Sequence, residues 1–155
     1  MMPALALTVA LLVSPAAGGW AHYDNARFGF SIDVPPGFAT QGESANGDGN
    51  RFTTPTAELR AFAGYVVETD FEGEAQTARE AMTEDGWAVT YQTITPQKAT
   101  LSGKKGGRVF YERLAAICGG DAFMGFELEY SVADLQAFNT IIDRLVSSLK
   151  APASC

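Results

Sequence analysis

The sequence predicts an α+β domain in which an antiparallel sheet is flanked by helices and closed by an amphipathic C-terminal helix. Three observations predict it. Residues 28–34 alternate, with Phe28, Phe30, Ile32 and Val34 on one side and Gly29, Ser31 and Asp33 on the other, the period of a half-buried strand. Two long strand-like runs at 108–118 and 122–131 are separated by Gly119-Gly120, the composition of a tight hairpin turn. Leu135, Phe138, Ile142, Leu145 and Leu149 recur at helical spacing as one apolar stripe.

In chain order, residues 1–21 hold an apolar run from Ala4 to Val13, then small residues, and no charged side chain. This reads as a secretory signal peptide, because about ten apolar residues fall well short of the roughly 20 that span a membrane. Small side chains permit cleavage after Ala16, Gly18, Gly19 or Ala21. Residues 22–155 are then expected to form a single domain, long enough to bury a core.

The strand at 28–34 ends at Pro35-Pro36, which cannot donate to a ladder. Residues 41–50 are polar and rich in Gly and Asn, which predicts a loop. Short strands follow at 51–54 and 59–68. Ala75, Ala78 and Met82 predict a modest helix over 74–85 that Gly86 stops. Strands come next at 87–95, 108–118 and 122–131, with a short piece at 98–102. Ser131 followed by Asp134 supplies the start signal of the last helix. The predicted core is Phe28, Phe30, Ile32, Phe126 and Leu128 from the strands with Phe138, Ile142 and Leu145 from that helix, whose burial is expected to supply most of the stability.

All charge lies after residue 21, so the net −7 falls on the domain. An acidic surface disfavours nucleic acid and anionic membranes, which reward clustered Lys and Arg. With 46% hydrophobic and 11% aromatic residues the chain belongs with globular proteins.

The opening Tyr23-x-Asn25-x-Arg27-Phe28-Gly29-Phe30-Ser31-Ile32-Asp33-Val34-Pro35-x-Gly37-Phe38 resembles that of the PsbP and Mog1-like superfamily. So does the ending Phe126-Glu127-Leu128-Glu129-Tyr130 followed by Phe138, Ile141, Ile142, Arg144, Ser147, Ser148 and Leu149. The chain is similar in particular to small bacterial periplasmic proteins of that type. The resemblance implies an antiparallel sheet flanked by helices, and a role in assembly or interaction more often than in catalysis. That superfamily shares no active-site motif, so the resemblance assigns no catalytic residue.

Cys118 and Cys155 are the only cysteines, and an oxidising compartment favours joining them. Closing that loop is worth about 3.9 kcal/mol by chain entropy. The alternative is a buried thiol at Cys118 and a loose one at Cys155. His22 is the sole histidine and sits at the end of the leader, which argues against Ser-His-Asp, Cys-His and multi-histidine zinc machinery. Cleavage after Gly19 would leave Trp20-Ala21-His22, whose amine, two amides and imidazole can enclose Cu(II) or Ni(II) in a square plane.

If Gly119 and Gly120 form the turn, Glu112 faces Glu127 and Phe110 faces Glu129 across the hairpin, clustering three glutamates on one face. Like charges across strands need an offset: a cation, Arg108, or water. A solvated face is the plain reading, and Glu112, Glu127 and Glu129 as a ligand or metal site the alternative. Asn46, Asp48 and Asn50 alternate like a calcium loop, but Arg51 and Ala57 stand where glycine and a bidentate glutamate are needed, so a turn is expected. Lys104-Lys105-Gly106-Gly107 reads as a solvated turn guarding a sheet edge.

These readings converge on a secreted or periplasmic, non-enzymatic binding or assembly module with no cofactor and no catalytic residue. Its partner is expected to be a protein or a small molecule, with no nucleic acid and no membrane contact once the leader is removed. A small-ligand or metal-binding protein using the acidic face is the alternative. A carboxylate-dependent hydrolase, which needs two acids flanking a deep cleft, comes third.

Overall fold

In a computed structural model, which describes residues 19–155, the chain runs through nine strands and two helices. They are β1 (Ala21–Asp24), β2 (Ser31–Val34), β3 (Ala39–Glu43), β4 (Gly49–Thr53), β5 (Glu58–Tyr65), α1 (Phe71–Glu84), β6 (Ala88–Ile94), β7 (Lys98–Lys105), β8 (Arg108–Ile117), β9 (Ala122–Ser131) and α2 (Leu135–Ser148). Single 3-10 turns at Cys118–Gly120 and Val132–Asp134 bracket β9. The fold is α+β. A seven-stranded antiparallel sheet in the order β3-β4-β5-β9-β8-β7-β6 carries both helices, and β1 and β2 form a separate two-stranded ribbon. Among the described residues no helix is long and apolar enough to cross a membrane.

β8 and β9 lie at the centre of the sheet, with one face covered along its length and the other covered in part. One face, built from Leu59, Ala61, Phe126, Leu128 and Tyr130, packs under α2 and the β1–β2 ribbon, which contribute Phe138, Leu145, Phe30 and Ile32. Phe30, Ile32, Phe126, Leu128 and Leu145 are wholly buried, each worth about 1.5–3 kcal/mol of transfer free energy. Tyr130 and Phe138 stack with ring centroids 4.4 Å apart, which fixes α2 against β9. The opposite face carries Phe110, Leu114, Leu101 and Ala99, and these meet Phe71, Ala75 and Met82 of α1 together with Trp87.

The predicted leader lies outside the described residues except for 19–21. There Trp20 packs against the core and Ala21 pairs with Val34 in β1, a strand the sequence reading did not anticipate. The strand predicted from residue 28 starts at Ser31. Phe28 is only half buried, in the turn before β2, where Asn25 Oδ1 accepts from its amide at 2.7 Å. β3 occupies part of the predicted 41–50 loop. It is an edge strand exposed at every residue, so no apolar alternation marks it.

The short piece at 98–102 is a full strand to Lys105 inside the sheet between β6 and β8, so Lys104 and Lys105, expected in an edge-guarding turn, end an interior strand. Leu135 belongs to the predicted stripe but is 41% exposed, and Ile142 is half buried. The Ser131 hydroxyl caps the 3-10 turn by accepting from the Ala133 amide at 3.3 Å, one turn before α2 proper begins.

Candidate functional site

The helix α1 is set in place by its first turn. Asp70 is extended and its carboxylate accepts from the Gly73 amide at 2.9 Å, satisfying an orphan donor at the helix start. From there Phe71, Ala75 and Met82 dock over the β6–β8 half of the sheet. The same sheet face continues past the helix onto β9 and β5, and there it is left open. A cleft of about 400 Å³ results, walled by Thr77, Ala81 and Met82 of α1 and floored by β8, β9 and β5.

Register determines what lies on that floor. Glu112 of β8 pairs with Glu127 of β9, and Arg60 of β5 pairs with Glu127 from the other side. Glu58 and Phe110 flank Glu129 in the row on one side, while Phe62, Gly125 and Leu114 form the row on the other. A Cβ on Gly125 would stand 2.5 Å from the Arg113 carbonyl oxygen and 2.6 Å from a Leu114 methyl, so this row admits only glycine there without a shift.

The expectation of a solvated acidic face is overturned. Glu112 is 5% and Glu127 9% exposed, because α1 closes over one side and Phe110 and Leu114 crowd the other. Burial pushes the Glu112 carboxyl up to about 8, helped by the charge of Glu127 and opposed by Arg60. Burial likewise raises Glu127 to about 7, with Arg60 opposing and Glu129 and Glu58 reinforcing. At neutral pH Glu112 therefore holds a proton. The offsetting cation is Arg60, not Arg108, whose guanidinium donates to the Thr56 carbonyl at 2.7 Å.

Glu112 has no hydrogen-bond partner among the described residues, and it faces the cleft. Glu129 completes the three-glutamate cluster at the rim. Among the described residues no group of three His, Cys, Asp or Glu side chains is arranged to hold a metal ion. Glu112 and Glu127 rise side by side from one floor, whereas glycosidase carboxylates stand on opposite sides of the scissile bond.

The remaining candidates are absorbed by structure. Asp48 accepts from Ser44 at 2.7 Å and from Asn46 at 3.1 Å, closing a polar turn beside a depression of about 330 Å³ on β3–β5. His22 faces Asp33 through Nδ1 at 2.9 Å and Asp24 through Nε2 at 3.2 Å. The hydrogen bond to Asp33 raises the imidazole above its usual value, and a copper square plane would have to break both contacts. Lys105 is not free in solvent: its Nζ donates to the Asp85 carbonyl at 2.7 Å and lies 5.0 Å from the centre of the Trp87 ring.

Cys118 and Cys155 are joined, with Cα atoms 5.6 Å apart, tying the chain's tail to the tip of the β8–β9 hairpin. Sequence reasoning missed Arg60, Phe62, Leu114 and Phe123 as cleft residues. Their only signal is the alternation of β5, β8 and β9, which says which residues share a face but not which strands are neighbours.

No protein-family model matches the sequence, and no curated protein matches it. Solved structures do. Cyanobacterial PsbP (CyanoP) from Synechocystis sp. PCC 6803 superposes with a TM-score of 0.66 at 12% identity, covering 94% of this chain and 98% of its own. The Ran-binding protein Mog1p of Saccharomyces cerevisiae gives 0.62 at 12% identity, over 87% of this chain and 96% of its own. A point mutant of protein Mog1 gives 0.64 at 11% identity, over 86% and 96%. The chain has the PsbP/Mog1-like fold.

Proposed function

We propose that this chain is an exported, non-enzymatic binding or assembly module, made as an N-terminal leader that ends by Gly19 and one domain that follows it, that recognises its partner through the acidic cleft beside α1. Glu112 carries the reading. A carboxylate that serves only solubility stays in water, whereas this one is buried, has no hydrogen-bond partner among the described residues, and lines the cleft. Burial of that kind weakens the fold and is characteristic of sites that meet a ligand.

Two further observations support the reading. One structural neighbour is a Ran-binding protein, so this fold serves recognition there. The Cys118–Cys155 pair suits an oxidising compartment, as does the apolar leader, and both favour the periplasm or the exterior. Trp20 lies under the Arg144 guanidinium, 4.3 Å from its carbon, and Ala21 pairs in β1, which favours cleavage at or before Gly19 over cleavage after Ala21.

The test begins with the intact mass of the protein recovered from the cell envelope, which reads both the cleavage bond and the loss of two thiol hydrogens. The same protein and its E112Q/E127Q variant are then immobilised and exposed to envelope extract. A protein or metabolite retained by the first and lost by the second supports the proposal. Full-length chain in the cytoplasm with both thiols free, or equal capture by the two proteins, overturns it.

A further inference from the structure

We infer that the cleft beside α1 is a site for a primary ammonium group on an aliphatic stem, with Glu112 and Glu127 as its anionic seat. The inference deepens the binding role proposed above and rests on it. Its first support is the pairing of Glu112 with Glu127 on neighbouring strands, which directs two carboxylates from one floor toward one space. The second is independent of the clustering: Glu112 is 5% exposed, has no hydrogen-bond partner among the described residues, and lines the cavity. What little of Glu112 is exposed lines the cleft, where a ligand can bring the donor that the protein does not supply.

Charge and shape narrow the class. Glu129 joins the pair from β9, Glu74 of α1 and Asp85 just after that helix face the cavity, and Arg60 of β5 is the single cation among the residues that line it. The field inside is therefore negative, and it selects against phosphate and carboxylate ligands. Phe62, Leu114, Phe123 and Met82 give the same cavity an apolar lining suited to an alkyl stem. Its volume of about 400 Å³ matches a short chain rather than a peptide helix.

A hard divalent cation asks for six or more oxygen ligands, which this arrangement of side chains does not supply. An ammonium is a compact charge with three donors and needs only the two carboxylates and one further acceptor. Because Glu112 holds its proton at neutral pH, entry of the cation releases that proton to solvent, and affinity rises with pH from 6 to 8. Glu58 and Arg60 on β5, Glu129 on β9, Glu74 on α1 and Asp85 just after that helix face the pair and modulate that rise.

The experiment is calorimetric titration of the disulfide-bonded protein with three probes: n-pentylamine, n-pentanol, and an end-blocked pentapeptide with one central lysine. Saturable one-to-one binding of an amine probe at pH 8, weakened at least tenfold at pH 5.5 and at least tenfold by E112Q/E127Q, is the expected result. Pentylamine alone assigns a free amine as ligand, and the peptide assigns a partner's lysine. Pentanol binding as tightly as pentylamine overturns the inference, as does amine binding that survives in E112Q/E127Q, whose fold is checked by its melting temperature. Capture of a partner that depends on Glu112, with neither amine binding, removes the ammonium while leaving the binding module intact.

Discussion

Glu112 and Glu127 sit opposite each other across β8 and β9, and both are buried beneath the edge of α1. A carboxyl raised from an ordinary 4.5 to about 8 binds its proton more tightly in the folded chain than in the unfolded one. Between those values folding takes up a proton, so raising the pH through this range weakens the fold. Stability is therefore expected to fall from pH 5 to pH 9. E112Q, which cannot ionise, should flatten that decline and exceed wild type at pH 9 by up to about 5 kcal/mol, at roughly 1.4 kcal/mol per tenfold change in proton affinity. Urea denaturation at pH 5, 7 and 9 measures it, and parallel declines in the two proteins would remove Glu112 as the cause.

His22 and Asp33 form a second pH-dependent pair. Asp33 Oδ1 meets His22 Nδ1 at 2.9 Å, and its other oxygen accepts from Arg144 Nε at 3.1 Å, so one carboxylate ties β1 and α2 to β2. The raised imidazole contributes fully below 6.5 and loses its contribution as pH climbs through its folded value. The lowered Asp33 carboxyl contributes above 3.8 and loses it as pH falls through its own. His22 is the sole histidine, so its proton resonance titrates without overlap. D33N is expected to bring its midpoint down toward 6.5 while costing about 1 kcal/mol or less, since the pair is largely solvated.

Phe138 places a whole helix. Stacked on Tyr130 and 9% exposed, it is the first buried side chain of α2. F138A is expected to cost about 3–5 kcal/mol, and F138D more because a charge would be set against the Tyr130 ring. Unchanged melting in F138D would mean that α2 does not pack through this side chain.

The Cys118–Cys155 bond encloses β9 and α2 within one covalent loop. Replacing both cysteines with serine should lower stability by about 4 kcal/mol through the freed chain entropy. Equilibrium denaturation of the double variant against the oxidised parent reads the difference, and hydrogen exchange in α2 should rise with it.

Part of this architecture is written in local patterns. The β8–β9 register follows from alternation on either side of Gly119 and Gly120, and it puts Glu112 against Glu127 before any coordinates are known. The face of α2 that carries Phe138 and Leu145 follows from helical spacing in the same way. The pairing of Ala21 with Val34 left no such trace, because β1 is four residues long and only Tyr23 of it is buried. β3 was hidden for a related reason, having no buried side to alternate.

The acidic cleft marks the boundary between the two kinds of information. Residue order along β8 and β9 determines that Glu112, Glu127 and Glu129 share a face, since side chains alternate with a period of two whatever surrounds them. Whether that face meets water or protein depends on where α1 lies, and α1 is held there by Phe71, Ala75 and Met82 meeting Leu114, Ala99, Leu101 and Phe110. Arg60 stands opposite Glu127 only because β5 pairs with β9 across more than sixty intervening residues. Such long-range contacts depend on packing among all the elements at once, so the burial of the two glutamates, their proton affinity and the cleft they floor arose with the assembled fold.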